Sequence, residues 1–138
     1  MTNSKKMYFL IILKCFFFIS CSNNSKKINF IICKDSVQYW DYNMIRGSQD
    51  VWFTYSFNKN GIVQKYSYNK ETNKRWLFLD YGYEKEFKWK VTDDSILNFM
   101  DSKLKIIKIS DDTIFTFNKK TKEFERYMRV RGKLNIQK

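Results

Sequence analysis

The sequence predicts an all-β fold: an antiparallel, up-and-down meander of about eight strands that closes into a small barrel and is preceded by a signal peptide. Three observations carry that expectation. Aromatic residues make up 19% of the 138-residue chain (13 Phe, 9 Tyr, 4 Trp), far more than a disordered chain holds. Short runs rich in β-branched and aromatic residues recur at close intervals, with Asn-, Asp- and Gly-bearing turns between them. No stretch sustains an apolar period of 3.6 residues, apart from a short helical turn somewhere in Ile28 to Ser36.

Composition closes several functional classes. The chain has no His, so it has no Ser-His-Asp triad, no Cys-His pair and no His-ligated zinc. Three Cys are too few for a four-cysteine metal site. With 26 Lys+Arg against 14 Asp+Glu the net charge is +12, which raises nucleic acid as a partner. The chain also lacks Ala and is dominated by Lys, Asn, Ile, Phe and Tyr, with Lys far ahead of Arg. An AT-rich coding sequence produces that bias, so part of the positive charge reflects inherited composition.

The N-terminus reads as an address. Lys5 and Lys6 form a positive start, and Met7 to Ser20 is an apolar run interrupted by Lys14. That length suits a signal peptide and falls short of the roughly 20 apolar residues of a membrane span. Phe18-Ile19-Ser20-Cys21 follows, with a small residue just before the cysteine.

The strands follow in order. Val37 to Tyr42 is β-rich, and Arg46 to Asp50 breaks it. Val51 to Phe57 alternates, placing Val51, Phe53, Tyr55 and Phe57 on one face. Asn58-Lys59-Asn60-Gly61 is the strongest turn, because Asn and Gly both tolerate the positive φ of a tight hairpin. Ile62 to Tyr68 runs back, Glu71 to Lys74 is a polar break, and Arg75 to Tyr81 is the next apolar stretch, ended by Gly82. Glu86 to Val91 puts Phe87, Trp89 and Val91 on one face and Glu86, Lys88 and Lys90 on the other, as in a half-buried antiparallel strand. Lys90 to Phe99 is then repeated as Lys108 to Phe117, each copy a strand, an Asp-Asp turn and a strand. Asp101 to Lys103 turns between the copies, and Glu123 to Val130 closes the series. A meander of this length is stable when closed, because closure removes its two exposed edges.

Two resemblances sharpen this reading. Phe18 to Cys21 resembles a bacterial lipobox, although Phe18 stands where Leu is usual. The resemblance implies that Cys21 is lipidated and becomes the first residue of the mature chain. Cleavage would discard Cys15 with Lys5, Lys6 and Lys14, leaving a net charge of +9 and one unmodified thiol, Cys33. Trp40, the Phe53 to Gly61 hairpin, Trp89 to Leu97 and Ile109 to Ile114 together resemble the lipocalin-like lipoproteins of Bacteroidetes-type bacteria. This implies a lipocalin-like barrel and specifies turns and inward aromatics, with nothing about chemistry. The expected organisation is a lipoprotein signal peptide (1–20), an acylated cysteine with tether and lead-in (21–36), the lipocalin-like domain (37–131) and a C-terminal tail (132–138).

Sites and partners follow. Trp40, Trp52, Tyr55, Tyr66, Trp76 and Trp89 are the candidate lining of a cavity for a small apolar ligand, with packing as the alternative role for the same rings. The Asp pairs at 93–94 and 111–112 read as turn residues, since neither has the ligand spacing of a calcium loop. No catalytic set, metal site or cofactor is expected. The expected protein is a monomer held to the periplasmic face of the outer membrane by its acyl anchor. It carries no enzymatic activity, and no nucleic acid is expected at that location. It binds a small apolar ligand or an anionic envelope component. The competing reading is a periplasmic inhibitor or immunity-type module that sets a basic face on an acidic partner.

Overall fold

Alternation along short β-rich runs produces ten strands in the computed structural model, which describes residues 24–44, 53–79, 86–132 and 134–137. They are β1 (Val37–Met44), β2 (Phe53–Asn58), β3 (Ile62–Asn69), β4 (Lys74–Leu77), β5 (Phe87–Val91), β6 (Ile96–Phe99), β7 (Ser102–Ile109), β8 (Thr113–Asn118), β9 (Glu123–Arg129) and β10 (Ile136–Gln137). A helix, α1, covers residues 24–32. The signal segment, Cys21 and Trp52 lie outside the described residues.

The meander closes as an eight-stranded antiparallel barrel. Each of β1 to β3 and β5 to β9 pairs with its neighbour in sequence, and β9 returns to β1 through Tyr127 opposite Tyr42. The remaining seam joins β3 to β5, with Val63 opposite Phe87. β4 lies outside this ring. It pairs with the second half of β3, and β10 adds to it in parallel, with Ile136 opposite Arg75. Of the apolar stretch Arg75 to Tyr81, Arg75 to Leu77 belong to this flanking strand. The stretch read as a tail carries the strand that covers its edge.

The turns follow from local chemistry. Between β2 and β3, Gly61 alone takes positive φ, at 85°, while its N–H donates to the Asn58 carbonyl at 2.9 Å. That is a three-residue loop ending in a left-handed residue, so Asn60 does not use the positive φ that Asn-Gly suggests. Asn60 instead accepts a hydrogen bond from the Ile62 N–H at 3.1 Å. The two repeat copies form the β5–β6 and β7–β8 hairpins, but their turns differ. Ser95 is left-handed in the first, and no residue is in the second. The β6–β7 turn is Met100-Asp101, both at positive φ (46° and 61°) with Phe99 opposite Ser102.

The barrel has two unlike ends. At one end α1 lies across the opening and buries Ile28 and Ile32, with Cys33 just beyond it, against Trp40, Phe57, Val63 and Trp89. Fully burying a side chain such as Ile32 contributes about 2 kcal/mol. The last carbonyls of the helix lack intrahelical partners. Here the Trp40 indole N–H donates to the Ile32 carbonyl at 2.8 Å, and the Arg129 guanidinium donates to the Ile31 carbonyl at 2.6 Å. A cation at that end also complements the helix dipole. At the start of α1, the Ser25 hydroxyl donates to Asp93 at 3.0 Å, tying the helix to the β5–β6 turn.

On the outer surface, Thr54 and Ser56 of β2 are as buried as the inward Tyr55 and Phe57. The cover is polar. Arg75 on β4 lies over the Tyr68 ring, donates from Nε to the Thr54 hydroxyl at 2.8 Å and grips both oxygens of Asp41 at 3.0 and 3.1 Å. One nitrogen, Nη2, makes both carboxylate contacts while Nε holds Thr54, so the guanidinium is fixed by charge-assisted hydrogen bonds.

Candidate ligand-binding cavity

Among the described residues, nothing closes the end opposite α1. Side chains that alternate inward along β1, β2, β3, β5, β6 and β9 stop short of filling it and leave a cavity of about 470 Å³. Its wall is aromatic: Tyr42, Phe53, Tyr55, Phe87, Phe99 and Tyr127. The β6–β7 turn, Met100 and Asp101, forms its rim with Ser102, and Lys65 and Glu125 supply opposite charges.

The rings form one connected set. Tyr42 meets Tyr127 at 5.2 Å between centroids and Tyr55 at 6.0 Å, edge to face. Tyr55 meets Phe99 at 5.2 Å, also edge to face. Such geometries suit the ring quadrupoles and add about 0.5–1.5 kcal/mol per pair beyond area burial.

The polar groups sit at defined points. Glu125 is only 7% exposed. One of its oxygens accepts from the Tyr127 hydroxyl at 2.7 Å, and the other accepts from the Asn118 amide at 3.2 Å. Both donors are neutral. The Lys65 ammonium sits 3.7 Å from the Phe53 centroid and 4.4 Å from that of Phe78, a cation held between two aromatic faces. Burial, then the Glu125 and Glu123 carboxylates, push the Tyr42 phenol well above its ordinary value of 10. Burial does the same to Tyr55 and Tyr127, reinforced by neighbouring phenols and by Glu125. All three phenols stay protonated across the neutral range, and that of Tyr127 is committed to Glu125.

Of the six aromatics singled out in the sequence, Tyr55 lines this cavity. Trp40 and Trp89 face inward but lie at the α1 end within the packed core, where the Trp89 indole donates to the Asn58 carbonyl at 2.8 Å. Tyr66 is buried on the outer face. It stands three residues after the inward Val63, so alternation turns it outward, against Tyr39. Trp76 belongs to β4, off the barrel, and is 40% exposed. Trp52 falls outside the described residues. The Asp pairs occupy turns: Asp93 accepts from Ser25, and Asp112 pairs with Arg131 on the surface. Among the described residues, no group of three or more acidic or cysteine side chains is placed to hold a metal. Cys33 is a buried free thiol donating to the Phe57 carbonyl at 3.0 Å, and burial raises its pKa above the ordinary value.

Sequence reasoning passed over Tyr42, Phe99, Glu125 and Tyr127. The signal for Glu125 is its phase: two residues before Tyr127 on a strand whose Tyr faces inward.

A second depression of about 600 Å³ lies on the outer surface beside the rim, where Lys103, Lys105, Lys119 and Lys120 converge. Among the described residues, no helix is long and apolar enough to cross a membrane. No protein-family model matches the chain, and no curated protein or solved structure shows significant similarity to it.

Proposed function

We propose that this chain is a lipid-anchored envelope protein whose lipocalin-like barrel holds a small ligand and performs no chemistry. The observation that carries the reading is the aromatic-walled cavity at the open end of the barrel. Its volume lies within the roughly 300–1,000 Å³ range of small-molecule sites, and eight strands enclose room for one small ligand. The Phe18 to Cys21 motif supports the anchor, with Cys21 as the acylated residue and the periplasmic face of the outer membrane as the location. The dye 1-N-phenylnaphthylamine, titrated into the full chain, tests the ligand. Saturable fluorescence gain that falls when Tyr55→Asp is introduced supports the reading, and a chain that binds neither this dye nor a small aromatic amine, alcohol or carboxylate overturns it. For the anchor, Cys21→Ser leaves an unprocessed, unlipidated precursor, and normal processing of that variant contradicts the assignment.

The lysine-lined depression favours a second reading, a basic face for an anionic envelope component or an acidic protein. Attraction between solvated charges weakens with salt. Capture from envelope extract at low salt that is lost at high salt supports it, and the absence of any captured partner at low salt removes its basis.

A further inference from the structure

Resting on the reading that the open cavity binds a ligand, we propose that the ligand is a small soluble organic cation, an amine whose charge is taken by Glu125 and by the surrounding aromatic rings. Glu125 is the first reason. A carboxylate taken out of water is costly unless an opposite charge accompanies it. Its hydrogen-bond partners, Tyr127 and Asn118, are neutral. An ammonium in the cavity supplies the missing charge directly beside it.

The wall is the second reason. Tyr42, Tyr55, Phe99 and Tyr127 line the cavity with neighbouring centroids 5.2 to 6.2 Å apart, so a cation entering it is surrounded by several π-systems. The phenols keep their protons and add no negative charge of their own.

Charge balance is the third reason. Among the described residues, two carboxylates, Glu125 and Asp101, face the cavity together with one ammonium, Lys65, which is seated over Phe53 and Phe78. The chain as a whole is strongly basic. A cavity whose sign opposes that of its own surface discriminates by charge: an anionic guest meets two carboxylates, and a neutral apolar guest desolvates Glu125 without compensation.

Calorimetric titration of the full chain in a neutral maltoside detergent tests this with three probes of matched shape: phenethylamine, 2-phenylethanol and 3-phenylpropionate. The amine is expected to bind about ten times more tightly than the alcohol, and the carboxylate most weakly of the three. In Glu125→Gln the amine loses about tenfold while the alcohol binds no more weakly than before. Equal binding of amine and alcohol overturns the cation assignment and leaves the ligand-binding reading standing. Failure of all three probes, together with failure of the apolar dye, overturns both. If Glu125→Gln does not fold, the charge series on the unmodified chain decides alone.

Discussion

Tyr55 and Tyr127 each place a phenol where water is scarce, and this makes the barrel sensitive to alkali. Burial is the largest cause of the upward shift at both, followed by a neighbouring phenol and the Glu125 carboxylate, in differing order. The unfolded chain releases these protons near pH 10 and the folded chain releases them only well above it. In that window the unfolded state binds fewer protons, so stability falls as pH rises, by about 1.4 kcal/mol per pH unit for each such phenol. Below the ordinary phenol value the contribution is fully present. Urea unfolding at about pH 8 and about pH 11 checks this, with lower stability expected at the higher pH. A flat stability profile contradicts the burial of these groups. At the same scale, the sequence reveals which way a side chain points but not how deep it sits. Alternation places Phe87 and Trp89 on one inward face. Only the register shows that Phe87 reaches the cavity while Trp89 packs beneath α1. Trp40 and Trp89, picked out with Tyr55 as lining, sit too deep, and the wall is built of Tyr and Phe. Glu125 was harder still, because Glu123 to Arg129 carries charged residues on both faces and its alternation is ambiguous.

Hairpins are where sequence and structure agree most closely, since Asn58 to Gly61 and the two Asp-Asp copies all turn where their composition says they do. The turn at Met100-Asp101 is the exception. Two left-handed residues in succession suit Asn-Gly, and neither Met nor Asp is the favoured choice for both sites. Non-glycine residues held there cost of order 1–3 kcal/mol each, and such strain tends to sit at functional rims. Replacing the pair by Asn-Gly is expected to stabilise the barrel by about 1–2 kcal/mol while removing the rim carboxylate. Denaturant unfolding measures the gain, and unchanged or lowered stability contradicts the assigned turn. The helix was legible only as a turn within Ile28 to Ser36, because one buried stripe of Ile28, Ile32 and Cys33 is too short to set a period. β10 was illegible, since two residues carry no pattern and their pairing with β4 depends on a long-range fold.

At the scale of the molecule, the described residues fill the barrel at the α1 end and leave a cavity at the other, so its aromatic rings serve two structural roles. Packing and lining are both true, at different heights. The meander and its closure followed from strand count and edge avoidance, but the division into a plugged end and an open end depends on where α1 lands. On the proposed function, the cavity opposite α1, and not the α1 end, receives the ligand. Amide chemical shifts recorded while phenethylamine is titrated into the full chain test it most directly. Perturbations concentrated at Tyr42, Tyr55, Phe99, Glu125 and Tyr127, with Trp40 and Trp89 unmoved, are the predicted result. Perturbations centred on Ile32, Trp40 and Trp89, or none along the inward faces, would contradict it.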